Sequence, residues 1–400
     1  MHLITTIPGG WNPNDEGVFY VEQKPGDILF LSAADTELYT MNKVYSARHN
    51  HIETIPSFRL ANLTYFKQEL TVDTYLDEVV ANAKIVVLKL LGGISYFSYL
   101  CEAIIECAAE NDVQVIFLPG DAKPDLELMK MSSVDLKIVD HLWKLLLAGG
   151  IKNTEAAMDS MFKLLDSSSI EISAPEFLPE YFFMNSKKEV LKEIPSKEDS
   201  STSLICSYRS YFQSDNLDPI IQLMTTLKDQ GIHAYAFFAQ SYRDPQLENQ
   251  LLKGIGENMP NVIINTTGFS IQSFNDASDG IFDRLNIPVL QAIVASCNKE
   301  TWKEGMFGLT PTDIAMQVTL PEVDSKIITS VISFKESTGK SELTDSEVVQ
   351  YIPHKEGIKA IADHVESWCK VQSLPNDQKK LHLFYQIIQA RIVDWQMELD

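Results

Sequence analysis

The chain has 400 residues, 45% hydrophobic and 22% charged, with 33 Lys and Arg against 55 Asp and Glu for a formal charge of −22. This is an ordinary globular composition with length for two or three domains, and the acidic balance argues against a nucleic-acid or anionic-membrane surface. An anionic ligand would therefore need local cationic contacts.

Met1-His2-Leu3 has no charged n-region, and Gly9-Gly10-Trp11-Asn12-Pro13 interrupts any apolar run, so no secretory signal reads out. The apolar stretches are strand-length and too short to span a bilayer. Cys101, Cys107, Cys206, Cys297 and Cys369 are scattered and form no CxxC pair. Buried thiols in a reducing cytoplasm are expected rather than a metal-thiolate site.

Strand-length apolar runs alternating with helical patterns predict an α/β fold with parallel sheets and crossover helices. A first unit over 1–125 has strands at 27–32, 58–63, 84–90 and 113–118, with helices near 36–47, 72–83 and 96–111. From 126 to 174 the pattern is helical, with Leu142, Trp143, Leu145 and Leu146 on one face and a break at Gly149-Gly150. Residues 175–202 have little periodicity and read as a linker. A second α/β unit over 203–380 has strands at 203–208, 233–238, 261–265, 289–295 and 326–334, and helices at 219–229, 245–257, 273–286 and 354–368. The expected architecture is two Rossmann-like or flavodoxin-like units joined by a helical segment.

Leu91-Gly92-Gly93-Ile94-Ser95 lies between a strand and a helix, where exposed N–H groups can hold a carboxylate. It lacks a full dinucleotide fingerprint, so a tight turn is the preferred reading, and no GxxxxGK[ST] loop supports ATP hydrolysis by this chain. His49-Asn50-His51 at a helix end and the pair His354 and His364 do not converge as metal ligands.

The carboxyl ends of strands in open α/β sheets are where ligands sit. Thr267 and Gly268 follow one strand of the second unit, Ser296 follows the next, and Tyr208-Arg209-Ser210-Tyr211 ends its first strand. Two aromatics and a guanidinium on one rim suit a flat anionic macrocycle, which stacks on rings and pairs with Arg. Neutralisation of a neighbouring Asp by Arg209 is the equal alternative.

Pro311, with Thr310 and Asp313, reads as a helix start. Pro321 is expected to end that helix, leaving Glu322 and Asp324 in the loop just outside an unfavourable dipole end. Solvation or a cation would explain that acidic pair, and physics alone favours solvation.

Trp302, Gly308-Leu309, Pro311, Asp313 and Leu320-Pro321-Glu322-Val323-Asp324 resemble the large, tetrapyrrole-binding subunit of aerobic cobaltochelatase (the CobN type) and its relative, the magnesium chelatase H subunit. So do Ile7-Pro8-Gly9-Gly10-Trp11-Asn12-Pro13, Phe30-Leu31-Ser32-Ala33-Ala34-Asp35-Thr36, Arg59-Leu60-Ala61-Asn62-Leu63 and Leu118-Pro119-Gly120-Asp121, on the cobalt branch. The similarity runs from residue 1 to about 380 and covers the amino-terminal third of such subunits.

The resemblance implies ATP-dependent insertion of Co²⁺ into hydrogenobyrinic acid a,c-diamide, in cobalamin biosynthesis. ATP would be hydrolysed by separate AAA+ subunits, beside an integrin-I-domain-like subunit. Cobalt, or magnesium with a porphyrin, is the substrate metal, and no covalently bound cofactor is implied. Glu322 would be the catalytic base and a metal contact, and Asp324 a second metal contact, although Asp324 and Asp313 also read as cap or turn residues, the preferred reading for each. Arg209, Tyr208, Tyr211, Thr267, Gly268, Ser296 and Asp313 would bind the macrocycle. Ser325 stands where relatives usually have Gly, so a different local turn is expected. Rival readings are a non-catalytic tetrapyrrole-binding or partner-docking module and, less favoured, a periplasmic-binding-like sensor.

Residues 381–400 do not resemble the rest. Another frame of an A/T-rich back-translation from Tyr385 gives an Asn-Tyr-Pro…Gly-Val-Gly segment like the one the family has next. A frameshifted or split product is one expectation for this tail, and a true amphipathic terminal helix is the other. The isolated chain is expected to fold at least in part and not to insert metal.

Overall fold

The computed structural model describes residues 20–51, 54–166, 168–195, 200–242, 244, 246–268, 281–305 and 308–375. The atypical tail lies outside the described residues, as does most of the helix expected at 273–286.

The first sheet comprises β1 (Ile28–Ser32), β2 (Phe58–Asn62), β3 (Ile85–Leu90) and β4 (Gln114–Pro119). All pairs are parallel, in the order β2-β1-β3-β4. β1 and β3 are buried at every position, which is why Ile28–Leu31 and Ile85–Leu88 read as continuous apolar runs rather than alternating ones, with buried Lys89 paired to Glu37. Helices Glu69–Glu78 and Ser98–Asn111 cover one face through Val72, Tyr75, Leu100 and Ile104. Helices Asp35–His49, Leu136–Ala148 and Ile151–Leu165 cover the other through Met41, Val44, Leu142, Trp143 and Met158. At the edge strand β4, the hydroxyls of Ser133 and Ser132 accept from Val115 N–H and Phe117 N–H (2.8 and 2.9 Å). Those bonds occupy donors that would otherwise invite another strand.

The second sheet has eight strands in the order β12-β11-β10-β9-β7-β8-β5-β6. Its parallel core is β7 (Thr202–Tyr208), β8 (His233–Ala239), β9 (Val262–Asn265), β10 (Val289–Val294) and β11 (Ile327–Ser341). Helices Asp218–Asp229 and Lys355–Ser373 pack on one face, and Leu247–Ile255 and Ile281–Leu285 on the other.

Two expectations change. The segment 175–202 is not wholly a linker: β5 (Tyr181–Met184) and β6 (Val190–Leu191) form an antiparallel hairpin that extends the sheet beside β8. Only tertiary pairing picks out so short a run as Tyr181-Phe182-Phe183-Met184. β11 also runs well past residue 334 and returns antiparallel as β12 (Ser346–Pro353), so this sheet is mixed rather than purely parallel.

That long hairpin crosses to the first unit. Leu60 N–H donates to the Thr344 carbonyl at 3.2 Å, Arg59 donates to Leu343 O at 2.9 Å, and the Thr344 hydroxyl donates to Asn42 at 2.8 Å. Lower on β11, buried Lys335 pairs with Asp35 of the first unit.

Helix Lys355–Ser373 starts hard against β11. A Cβ on Gly357 would lie 1.8 Å from the Val331 carbonyl oxygen. Gly357→Ala must push the helix off the strand and should lower unfolding stability by about 2–3 kcal/mol, read as the urea midpoint at constant slope. An unchanged midpoint would contradict the close packing.

Candidate functional site

The carboxyl ends of β7, β9 and β10 form one hydrogen-bonded rim. Tyr208, the last residue of β7, donates its hydroxyl to Gly268 O at 2.9 Å. Asn265, at the end of β9, donates to Gln291 of β10 at 2.7 Å and to Thr267 O at 2.9 Å, while the Thr267 hydroxyl donates back to Asn265 at 2.9 Å. Asn265, Gln291 and Thr267 are all buried. Such polar groups persist in a core only when paired, as they are here. Gln291 then reaches Gln317 at 3.3 Å, tying the sheet to the helix that follows β10.

That helix differs from the one expected. Residues Pro311–Asp313 are α-helical, Ile314–Thr319 are π-helical, and Leu320–Val323 close as an α-turn. Pro321 does not end the helix but lies inside its last turn, so Glu322 is helical and Asp324 is the C-cap. A proline offers no N–H, and a widened segment directly before it already departs from the ordinary α ladder. Single π turns are frequent at functional sites. The widened turn packs on the rim: a Cβ on Gly268 would meet Met316 O at 3.2 Å and Gln317 Nε2 at 3.1 Å.

Thr310 caps the helix as expected, its hydroxyl accepting from Asp313 N–H at 3.1 Å. Asp313 is buried, and both its oxygens accept from Ser296 N–H (3.0 and 3.1 Å). It pins the end of β10 to the helix start. The Ser296 hydroxyl is buried and has no hydrogen-bond partner among the described residues.

Arg209 opens the short helix after β7. Its guanidinium donates to Pro179 O at 3.1 Å and to Gln240 Oε1 at 3.3 Å. Among the described residues it makes no ion pair, and no neighbouring Asp neutralises it. Burial lowers its pKa, against the opposing pull of Glu180. Tyr211 packs edge-on against Tyr351, ring centroids 5.4 Å apart. Burial, then Tyr351, pushes its phenol well above the ordinary range.

Hydrogen bonds therefore join Tyr208 to Gly268 and Thr267 to Asn265, and separately Ser296 to Asp313, with Arg209 and Tyr211 following β7. Glu322 stands apart. The connection from β10 to parallel β11 runs back along the sheet. The helix therefore carries Glu322 away from Asp313, toward the start of β11. Glu322 is exposed and makes no ion pair among the described residues. Asp324 is buried against Lys326, 3.0 Å away, with side chains 5% and 0% exposed.

Gln291 and Lys326 were missed by sequence reasoning, although Gln291 is the lone polar residue of an apolar strand and Lys326 directly precedes β11. A cavity of about 270 Å³ lies elsewhere, between the first unit and the hairpin, and Asp35, Tyr65, Lys340 and Glu347 help line it. Among the described residues no group of three or more His, Cys, Asp or Glu could hold a metal ion, and no helix is long and apolar enough to cross a membrane.

Residues 143–390 match the family model described as CobN/Magnesium Chelatase. The chain belongs to this family. It is 30% identical over 387 residues to the aerobic cobaltochelatase subunit CobN of Pseudomonas aeruginosa, covering 96% of this chain and 30% of the relative. It is 29% identical to the CobN of a Sinorhizobium species, covering 95% and 30%. It superposes on the catalytic subunit of cobaltochelatase from Mycobacterium tuberculosis with a TM-score of 0.62 and 22% identity, over 87% of this chain and 27% of that one. The chain thus spans about 30% of the length of its curated CobN relatives.

The Ser325 position keeps a glycine-like turn. Ser325 has φ +58°, and its N–H donates to Glu322 O at 2.9 Å. The serine accepts the left-handed conformation that glycine adopts more readily, at a cost of about 1 kcal/mol. Ser325→Gly should raise unfolding stability by up to about 1 kcal/mol, and Ser325→Val should lower it by more than that. Thermal unfolding measures both, and equal midpoints would contradict the strained turn.

Proposed function

We propose that this chain is the macrocycle-holding part of a tetrapyrrole metal chelatase large subunit, acting in ATP-dependent Co²⁺ insertion for cobalamin biosynthesis in the cytoplasm. ATP is used by AAA+ partner subunits, beside an integrin-I-domain-like subunit. The observation that carries the reading is the exposed Glu322 carboxylate, free of ion pairs among the described residues, on a π-interrupted helix seated on the sheet rim.

Metal insertion displaces the macrocycle's inner N–H protons, one from a corrin or two from a porphyrin, while a hydrated cation sheds its waters. A carboxylate is both a proton acceptor and a hard oxygen ligand for such a cation. Glu322 takes these roles, while Arg209 and the Tyr208, Thr267, Gly268 and Ser296 rim meet the macrocycle and its carboxylates. Arg209 suits that contact because, among the described residues, main-chain carbonyls and Gln240 hold it. A second reading is a tetrapyrrole-binding or docking module without catalysis, which the Arg209 and Tyr208 rim would serve without Glu322.

Rebuilding a full-length subunit around this chain tests the catalytic assignment. Glu322→Gln should lower turnover about 10²–10⁴-fold with macrocycle affinity nearly unchanged, because the amide keeps the size but cannot take a proton. A fall in turnover only in proportion to binding would reduce Glu322 to a ligand contact.

A further inference from the structure

The turn after Glu322 is unusually firmly built. Asp324 N–H and Lys326 N–H both donate to the Pro321 carbonyl, at 3.1 and 3.3 Å, and Ser325 N–H closes on Glu322 O. Carbonyls left over at the helix end are thus taken up, in the manner of a Schellman closure. The side chains beyond Glu322 then turn inward. Lys326 lies entirely out of solvent, its ammonium 3.0 Å from Asp324 Oδ2 and 5.8 Å from the centre of the Phe282 ring. Lys326 directly precedes β11, so the pair fastens the helix end to the second sheet.

We infer that Asp324 is a positioning residue rather than a metal ligand: with Lys326 it forms a buried strut that fixes the backbone carrying Glu322. A cation reaching Asp324 would have to enter beside a buried ammonium, at a side chain only 5% exposed. Two charges enclosed together hold one geometry, and either alone is heavily penalised by desolvation. The exposed carboxylate and the enclosed one therefore divide the work. Glu322 meets the reactants, and Asp324 sets where Glu322 stands. The catalytic half of this assignment rests on the chelatase reading; the strut itself does not.

The test is a double-substitution cycle, Asp324→Asn, Lys326→Met and both together. In urea unfolding of this chain, each single change should reduce the folded-to-unfolded ratio about 10²–10³-fold. The double variant should lose clearly less than the two single losses together, because the shared Asp324–Lys326 interaction is then removed only once. Losses that simply add would overturn the strut, whether or not the chain is part of a chelatase. In a rebuilt full-length subunit, at a temperature where all variants are folded, Asp324→Asn should lower kcat at least tenfold with the KM for Co²⁺ unchanged. The double variant should regain most of that kcat. A raised KM for Co²⁺ that the double variant fails to restore would instead make Asp324 a metal ligand and overturn the inference. A parent subunit with no chelatase activity would sink the proposed function and leave the unfolding cycle to judge the strut.

Discussion

The tip of the β11–β12 hairpin meets the outer edge of β2, where Leu60 N–H finds the Thr344 carbonyl and Arg59 finds Leu343 O. A parallel edge strand leaves a row of donors and acceptors unpaired, and here another unit's hairpin covers part of that row. The same hairpin carries Lys335 into a buried pair with Asp35. Burial first disfavours the Lys335 charge, but Asp35 outweighs it and the ammonium pKa rises. Lys43 and Lys188 converge from the two units on Asp215. The arrangement of the two α/β units, and with it the approach to the second sheet's rim, depends on this clasp.

The strands that lie buried on both faces were legible because Ile28–Leu31 and Ile85–Leu88 are unbroken apolar runs. The Gly149-Gly150 break was legible for a local reason too: both glycines have positive φ, at 65° and 85°. What escaped the sequence depends on partners distant in the chain. Tyr181–Met184 is a strand because β8 offers an edge, and β12 exists because β11 overshoots its parallel neighbour. Pro321 looked like a stop signal, yet the π-helical turn before it keeps the helix running.

The site shows the same division. Side chains at strand ends could be placed on one rim from topology alone, because the carboxyl ends of parallel strands lie together. Their hydrogen-bond partners could not be, since Asp313 meets Ser296 only through the crossover, and Asp324 meets Lys326 only through the closing turn. Two carboxylates that look equivalent in Leu320-Pro321-Glu322-Val323-Asp324 end in opposite surroundings, one in water and one against a buried ammonium. Spacing along the chain cannot reveal such a difference. The motif resemblance and the match over 143–390 agree on the family.

The proposed role of the rim rests on a guanidinium held by neutral groups in a chain with a net charge of −22. Absorbance titration of this chain with a metal-free corrinoid bearing free carboxylates tests it most directly. The account predicts a saturable spectral change, weakened about tenfold or more by Arg209→Met through loss of a charge-assisted pair, with the fold intact. A folded chain that leaves the corrinoid spectrum unchanged, or an Arg209→Met variant that binds as the parent does, would contradict it.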